Sequence, residues 1–260
     1  MTWIQDRWHL LRFNRLDFER KYVVDQVLSQ KPRSRVVLTR RRGDRRQTIM
    51  KLSERAAANP LEVQCLRSLR HPGIISYLGH GFTRDCRQWI ETEYVDGVPL
   101  SAWLDSRPSS EDTELSATRI LLQLLSVVQY VHCCGWLHGD LSPQNILVVP
   151  AKWSVVLVDF EHARMLEAAN STVLPRKHSP AFASPHEAAG GVTTEACEQF
   201  ALGKLGLMML GLFESETQSK LKAILSRAAS ARMEDRYPTL QAIVNDVENS
   251  VRKPQMQWNQ

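Results

Sequence analysis

The sequence lacks a long hydrophobic run. No segment approaches the roughly 20 apolar residues that a membrane span requires, and the longest candidate, residues 200–213, is interrupted by Lys204. The N-terminal segment, residues 1–21, mixes arginines with acidic residues and has no uninterrupted apolar core, so we expect neither a signal nor a transit peptide. These absences predict a protein without a membrane span that resides in the cytoplasm.

A cysteine framework is also missing. The five cysteines form no C-x-x-C pair and no metal-binding spacing, and their number is odd. This usage favours a reducing, intracellular setting over a disulfide scaffold. Hydrophobic residues make up 43% of the chain and charged residues 23%, which is typical of a globular protein rather than a disordered one.

The positive charge is concentrated in one short stretch. The net charge of +5 is moderate, but eight basic residues follow one another closely: Lys31, Arg33, Arg35, Arg40, Arg41, Arg42, Arg45 and Arg46. No aromatic residues interleave with them, so we do not expect nucleic acid as a ligand. A solvated face of a hairpin is the simpler interpretation, and attraction of an acidic partner is the alternative.

The first third of the chain has the alternation that is typical of strands. Arg42-Gly43-Asp44-Arg45 predicts a turn. Asn59-Pro60 predicts the start of a helix that stops at His71-Pro72-Gly73. The predicted strands are residues 22–28, 35–40, 45–52, 74–77 and 88–93.

Beyond Asp96-Gly97 the pattern becomes helical, apart from one apolar strand expected over residues 153–158. The apolar segment 200–213 predicts a buried helix. Strands followed by helices predict an α+β fold. The other predicted helices are residues 100–105, 116–134, 218–228 and 238–251, and residues 1–21 have the spacing of a further short helix.

Polar residues that suit phosphoryl transfer follow the predicted helix 116–134. Residues 138–147 read His-Gly-Asp-Leu-Ser-Pro-Gln-Asn-Ile-Leu, and Asp159 ends the apolar strand that comes next. A carboxylate such as Asp140 can accept the proton of an attacking hydroxyl, while the amide oxygen of Asn145 and the carboxylate of Asp159 can hold Mg²⁺ on the phosphates. The two motifs occur in the order and at the separation that this chemistry requires.

With these motifs the chain resembles the protein kinases, whose catalytic loop reads H-R-D-x-x-x-x-N and whose metal site reads D-F-G. The resemblance covers residues 22–250 and includes the segments 180–187, 197–203 and 234–239. It implies a bilobal fold with a small β-rich N-lobe and a larger helical C-lobe. The corresponding division is an N-terminal extension (1–21), an N-lobe (22–96), a C-lobe (97–250) and a C-terminal tail (251–260).

The resemblance also implies a role for residues of the N-lobe. Lys51, in Thr-Ile-Met-Lys, occupies the place of the lysine that binds the α- and β-phosphates of ATP, and Glu62 occupies the place of its glutamate partner. Glu93 and Val95 lie in a segment that resembles the hinge, whose backbone groups bind the adenine edge, with Thr92 as gatekeeper. The cofactors implied are ATP and Mg²⁺.

Residues 28–36 align with the glycine-rich loop L-G-x-G-x-x-G-x-V but contain no glycine. The expected nucleotide contacts there are Ser29, Lys31 and Val36, with Lys31 or Arg33 meeting the phosphates by charge instead of through a backbone N–H. Either these cations compensate for the missing glycines in this way, or nucleotide binding is weak.

Three further positions depart from the family pattern. Gly139 replaces the usual arginine of the catalytic loop, so control by phosphorylation through that arginine is not expected. Glu161 replaces the glycine of D-F-G. His186 occupies the position of the A-P-E glutamate, and Glu187, one residue later, either reaches Arg236 or leaves that pair to be rebuilt.

The sequence thus predicts an ATP- and Mg²⁺-dependent kinase that phosphorylates serine or threonine of a protein substrate. Two alternatives stay open. His-Gly-Asp-Leu also resembles the catalytic loop of aminoglycoside and choline kinases, which act on small molecules. The missing glycines are compatible with a pseudokinase that acts as a nucleotide-binding scaffold.

Overall fold

The computed structural model of the protein describes residues 21–54, 59–83, 86–106, 111–166, 179–211 and 215–251. The helix expected over residues 1–21 and the C-terminal tail lie outside these ranges, apart from one residue of each. Contacts between residues divide the chain into two units. The first comprises the described residues up to Arg67 together with Ile75–Val95, and the second comprises Ser68–Ile74 and the described residues from Asp96 onward.

The first unit contains a five-stranded antiparallel sheet in the order β1-β2-β3-β5-β4. Four of its strands confirm the predictions made from alternation, and the turn predicted at residues 42–45 connects β2 to β3. The strands are β1 (Tyr22–Lys31), β2 (Ser34–Arg41), β3 (Gln47–Ser53), β4 (Tyr77–Phe82) and β5 (Gln88–Glu93).

The two faces of this sheet bury different side chains. Residues directly opposite each other in an antiparallel pair point to the same face. Val37 on β2 faces Met50 on β3, and both are almost completely buried beside Leu52, with Trp89 packed against them. Lys51 alternates with Met50 and Leu52 and therefore lies on the opposite face.

The strand predicted over residues 74–77 is wrong, because β4 begins only at Tyr77. Ile74 and Ile75 are buried, but neither belongs to a strand, and Ile74 forms only an isolated bridge to Leu157. Their apolar character therefore reflects burial in a loop rather than strand pairing.

Glycines concealed the true β4, since glycine is depleted in strands. A Cβ atom at Gly81 would lie 2.8 Å from the indole of Trp89, and one at Gly79 would lie 3.6 Å from it. The sheet thus accommodates the Trp89 ring against bare backbone, and this packing outweighs the weak strand propensity of glycine.

Helix α1 (Pro60–Ser68) begins where Asn59-Pro60 predicts. The side chain of Asn59 accepts a hydrogen bond from the backbone N–H of Leu61 at 3.1 Å, and proline at the first helical position needs no such partner. The buried face of α1 includes Glu62, a charged residue for which burial requires an oppositely charged partner.

The second unit is mainly helical. Helices predicted over 116–134, 200–213, 218–228 and 238–251 are all present, and the first two begin five residues earlier than predicted. The helices are α2 (Leu100–Ser106), α3 (Glu111–Cys133), α4 (Pro185–Ala188), α5 (Glu195–Leu210), α6 (Glu216–Ala228) and α7 (Leu240–Val251).

The core of the second unit forms around α3 and α5. Both helices bury leucines completely, among them Leu121 and Leu205. Gly203 lets α6 approach α5 closely, because a Cβ atom there would lie 2.7 Å from the carbonyl oxygen of Leu225. The N-terminal turn of α5 lies next to the C-terminal end of α3, since Glu198 contacts His132 there, and the candidate site is built at this point.

Short strands complete the second unit: β6 (Val98–Pro99), β7 (Trp136–Leu137), β8 (Ile146–Val149), β9 (Ser154–Leu157) and β10 (Arg164–Met165). β8 lies between β6 and β9, and β7 pairs with β10. The apolar strand predicted over residues 153–158 is β9. None of the helices in the described ranges is long and apolar enough to cross a membrane.

Candidate active site

The first group of predicted site residues is an ion pair in the first unit. Nζ of Lys51 lies 2.9 Å from Oε1 of Glu62, and both side chains are largely buried. β3 supplies the lysine and the buried face of α1 supplies the glutamate. The pairing that the sequence predicts is therefore present in the structure.

Two further predicted residues lie in the same cross-strand row as Lys51. Val36 on β2 is directly opposite Lys51, and Ser29 on β1 is directly opposite Val36. Ile90 on β5 continues the row on the other side of Lys51. Lys31 ends β1 opposite Ser34, at the turn of the hairpin, and does not belong to this row.

The predicted hinge residues end the sheet. The backbone N–H of Glu93 donates to the carbonyl of Ser76 at 3.0 Å, and its carboxylate accepts from the Ser76 hydroxyl at 2.7 Å. The Glu93 N–H is therefore not available to an adenine ring. The contacts with Ser76 do not involve the Glu93 carbonyl, which is the other backbone group of the predicted hinge contact. Val95, the last residue of the first unit, follows β5 without being part of it.

The second group of predicted residues surrounds the Asp140 carboxylate. Oδ2 accepts from Nδ2 of Asn145 at 3.0 Å, and Oδ1 accepts from the backbone N–H of Ser179 at 3.1 Å. Asn145 Nδ2 also donates to the carbonyl oxygen of Asp140 at 2.8 Å. The carboxylate is thus held in one orientation from two sides.

His138 supports the loop rather than contributing to the chemistry. The side chain is fully buried, and Nε2 lies 3.0 Å from the carbonyl oxygen of Val158. Nδ1 accepts from the backbone N–H of Asp140 at 3.3 Å, and the ring packs against Phe160. These contacts connect the catalytic loop to the segment that carries Asp159.

The hairpin of β8 and β9 brings Asn145 and Asp159 to the same end of a small sheet. Ile146 pairs with Leu157, and one residue beyond this pair Val158 N–H donates to the Asn145 carbonyl at 2.9 Å. Asp159 follows Val158 immediately and adopts a left-handed conformation with φ of 60°. This conformation is tolerated better by aspartate than by most residues.

The donor set of Asn145 and Asp159 fits Mg²⁺. This ion prefers oxygen ligands, and it commonly takes one or two carboxylates from the protein together with substrate phosphates and water. Because Asn145 uses its Nδ2 on Asp140, its side-chain oxygen is the atom that suits a cation. Within the described ranges, no group of three or more histidine, cysteine, aspartate or glutamate residues could hold a metal by itself.

Glu198 anchors the catalytic loop from α5. Oε1 accepts from the backbone N–H of Gly139 at 2.7 Å, and Oε2 lies 2.6 Å from Nε2 of His132 on α3. Glu195 approaches the other ring nitrogen of His132 at 3.3 Å. Burial lowers the pKa of His132, but the two carboxylates outweigh this effect and raise it to about 9.

Gly139 occupies a position that no other residue fits well. Its φ is +82°, and a Cβ atom would lie 2.1 Å from the carbonyl oxygen of His162. The replacement of the family's arginine by glycine is therefore required by the backbone of this protein.

Glu187 and Arg236 each make hydrogen bonds to other groups. Glu187 forms a capping box with Ser184 at the start of α4 and accepts from the Thr193 hydroxyl at 2.9 Å. Arg236 donates to backbone carbonyls, of which the nearest is that of Ala196 at 2.7 Å. Each residue thus anchors a separate segment by hydrogen bonds, while burial lowers the pKa of Arg236 and the negative charge of Glu187 partly opposes this effect.

Sequence reasoning missed the roles of His132 and Ser179. A histidine in the last turn of an apolar helix, shortly before the catalytic loop, was a usable signal for the former. The Ser179 contact uses a backbone N–H, which side-chain patterns do not reveal.

Comparison with known proteins is consistent with this geometry. The sequence profile of the protein kinase domain matches residues 22–253. The serine/threonine-protein kinase Nek8 of Danio rerio is 29% identical over 241 residues, which are 88% of this chain and 34% of that protein. The serine/threonine-protein kinase pkn3 of Myxococcus xanthus is 30% identical over 184 residues, covering 67% of this chain and 33% of that protein.

Solved structures show the same fold. The Cydia pomonella granulovirus kinase PK-1 superimposes with a TM-score of 0.75 at 16% identity, covering 95% of this chain and 98% of that one. The PknI kinase domain of Mycobacterium tuberculosis gives a TM-score of 0.63 at 20% identity, covering 88% and 96%.

This chain belongs to the protein kinase family. The predicted α+β fold, with a β-rich first part and a helical second part, is confirmed. The chain spans only 34% and 33% of the two curated relatives named above.

Proposed function

We propose that this chain transfers the γ-phosphoryl group of ATP to serine or threonine hydroxyls of a protein. The observation that carries the proposal is the orientation of the Asp140 carboxylate by Asn145 and Ser179. A general base must hold one geometry relative to the hydroxyl from which it takes the proton. The serine/threonine-protein kinases among the relatives support the choice of acceptor.

Asp140 acts as the base in this proposal, and Asn145 and Asp159 hold the metal. Bound Mg²⁺ would neutralise the charge that develops on the phosphates. Asn145 has two roles, since its Nδ2 orients the base while its oxygen faces outward from that hydrogen bond. His138 and Glu198 act through the loop backbone as positioning residues.

Lys51 binds the α- and β-phosphates, and Glu62 keeps its ammonium group in place. An ammonium group has three donors, of which one meets Oε1 of Glu62 at 2.9 Å. Ser29 and Val36 share the row of Lys51 and would contact the nucleotide beside it, while Glu93 and Val95 would meet the adenine edge through their backbones.

A phosphotransfer assay with three classes of acceptor tests the proposal. The purified chain is incubated with radiolabelled Mg·ATP and either casein and histone, or choline, or kanamycin. Label in phosphoserine or phosphothreonine supports the proposal. Transfer to choline or kanamycin alone would identify a small-molecule kinase, and nucleotide binding without transfer would identify a pseudokinase.

We also propose a cytoplasmic location, where ATP is abundant and thiols stay reduced. Cys86, Cys133 and Cys134 are exposed thiols, and a reducing compartment suits them. Fractionation of cells that express a tagged chain tests this, and recovery in a secreted or membrane fraction would contradict it.

A further inference from the structure

The basic stretch of the sequence divides into two parts in the structure. Arg40 pairs with Asp25 at 2.7 Å, and Arg41 pairs with the buried carboxylate of Glu91, also at 2.7 Å. In contrast, no carboxylate lies within ion-pair distance of Lys31, Arg33 or Arg35 in the part of the chain that the structure describes.

These three cations converge on a cavity of about 470 Å³ within the first unit. Arg87, which directly precedes β5 and is distant from the basic stretch in sequence, is the fourth cation of its lining. Among the described residues of the lining, Glu54 is the single acidic one. The remaining lining residues are Gln30, Pro32, Ser34, Leu52 and Ser53. We call this cavity the arginine pocket.

Arg35 lies on the face of the sheet opposite to Lys51, and Arg87 lines the same pocket. Arg35 is directly opposite Leu52, which in turn is opposite Trp89, and Arg87 precedes Trp89 by two residues. Since side chains alternate between faces along a strand, Arg35, Leu52 and Trp89 share one face, and Lys51 lies on the other. Arg35 therefore faces away from the row that contains Lys51, whereas Ser34 and Ser53 of the lining alternate to the Lys51 face.

Two guanidinium groups are held close together here at an energetic cost. Burial lowers the pKa of Arg35, and the positive charge of Arg87 lowers it further. An anion bound between them would relieve this repulsion. Guanidinium groups recognise phosphate oxygens through paired, charge-assisted hydrogen bonds.

We propose that the arginine pocket binds the phosphate of a phosphorylated serine or threonine in a protein segment. Among the described residues, Lys31, Arg33 and Arg35 have no carboxylate at ion-pair distance, which favours a dianionic group over a single carboxylate, and phosphoserine carries nearly two negative charges at neutral pH. The volume is in the range of discrete ligand sites, roughly 300–1,000 Å³.

The shape and lining favour a protein segment over other phosphate carriers. None of the described residues that line the pocket is aromatic, so they offer a nucleotide base no surface on which to stack. The cations face a concave cavity rather than a convex surface, and Leu52 in its wall is only 5% exposed, so the pocket offers no apolar anchor for a lipid bilayer. This binding does not depend on phosphotransfer by the chain itself.

Fluorescence anisotropy with a short labelled peptide that contains one phosphoserine among alanines and glycines tests the proposal. The variant is Arg35→Gln combined with Arg87→Gln, and the matched control is Arg46→Gln combined with Arg67→Gln. The control removes the same charge from exposed positions outside the pocket. Circular dichroism melts establish that each variant is folded.

We expect saturable binding of the phosphopeptide to the parent chain, competition by inorganic phosphate, and no binding of the unphosphorylated peptide. Losing charged hydrogen bonds of this kind weakens binding by about tenfold or more, so the pocket variant should show that loss while the control retains parental affinity. Arg35→Lys, which keeps the charge but not the paired donors, should bind with intermediate affinity.

Three results would overturn the proposal. The first is equal phosphopeptide affinity in the parent and the pocket variant. The second is an equal loss in pocket variant and control, which would indicate attraction by net charge alone. The third is no saturable peptide binding, whether or not vesicles of phosphatidylcholine and phosphatidylserine bind through the same arginines.

Discussion

The backbone N–H of Gly139 and the carboxylate of Glu198 form a 2.7 Å hydrogen bond that connects the catalytic loop to helix α5. Glu198 is 2% exposed, and its second oxygen binds His132 on helix α3. One buried carboxylate therefore fixes the backbone next to Asp140 and joins two core helices. Because this contact uses the backbone of Gly139, the local conformation of that glycine decides where the proposed base lies.

Replacing Gly139 by alanine should destabilise the protein and reduce turnover. The left-handed conformation costs an L-residue about 1–2 kcal/mol, and the Cβ atom would also collide with the His162 carbonyl at 2.1 Å. The free energy of unfolding, measured by urea titration, and the rate of phosphotransfer provide the two readouts.

Two other glycines separate these causes. Gly190 has a φ of +88° but open space around its Cβ position, so Gly190→Ala should show the conformational cost alone. Gly43 has open space and no positive φ, so Gly43→Ala should be nearly neutral. If Gly139→Ala costs no more than Gly190→Ala, the contact with His162 is unimportant.

Because of the ion pairs of His132, the free energy of unfolding should decrease as the pH becomes alkaline. The folded-state pKa of about 9 lies above the unfolded value of about 6.5, so the protonated form stabilises the fold. This contribution is complete below about pH 6.5 and is lost as the pH rises through 9, amounting to about 3 kcal/mol at most.

Urea titrations of the parent and of His132→Gln between pH 6 and pH 10 measure this contribution. The stability difference between the two proteins should shrink as the pH rises. His186→Gln, at an exposed position, serves as the control and should follow the parent. A difference that is constant over this range would show that His132 does not titrate as proposed.

The sequence predicted those local features well that depend on neighbouring residues alone, such as a helix start or the alternation of a strand. Asn59-Pro60 predicted the start of α1, and alternation predicted β1, β2, β3 and β5. The ion pair of Lys51 and Glu62 followed from the order of family motifs rather than from any local pattern.

What sequence reasoning could not supply depends on contacts between distant segments. The Trp89 ring makes β4 possible despite its glycines, and the fit of Gly139 depends on His162. The proximity of Arg35 to Arg87 depends on the register of β2, β3 and β5, which the sequence pattern does not reveal. In each case a neighbour in space, not in sequence, decides the outcome.

Asp140→Asn should lose turnover while retaining nucleotide affinity. Removing a general base costs roughly 10²–10⁴ in rate, and the amide can still accept the Ser179 N–H. Asp159→Asn should in addition lose the Mg²⁺-dependent part of nucleotide affinity. Calorimetric titration with ATP, with and without Mg²⁺, distinguishes the two variants. Parental turnover in Asp140→Asn would refute the assignment of the base.

Activity should not depend on phosphorylation of the segment that contains Ser171, Thr172 and Ser179. The first two residues lie outside the described ranges. Ser179 contacts Asp140 through its backbone N–H, which alanine retains. Glycine at position 139 replaces the arginine that directly precedes the base in the family pattern and that would bind such a phosphate. Replacing all three by alanine should leave the rate nearly unchanged, and a large loss that acidic replacements restore would contradict this.

Lys31 and Arg33, at the turn between β1 and β2, should contribute to the affinity for ATP. The aligned loop has no glycine for close backbone contact with phosphate, and charged side chains can act from a greater distance. If they compensate in this way, Lys31→Ala combined with Arg33→Ala should raise the dissociation constant of ATP and leave that of adenosine unchanged. The effect should diminish as ionic strength rises, because the screening length is about 8 Å at physiological salt.

Both residues also line the arginine pocket, so the structure supplies a rival role for them. Arg46→Ala combined with Arg67→Ala is the charge-matched control, and it should bind ATP like the parent. Equal ATP affinity in the parent and in the Lys31 and Arg33 variant would favour the rival. Lys51 would then be the residue of the first unit that contacts the phosphates. Weak ATP binding in the parent would in that case support a pseudokinase. A loss of ATP affinity with unchanged phosphopeptide binding would instead assign the turn to the nucleotide and the pocket to Arg35 and Arg87.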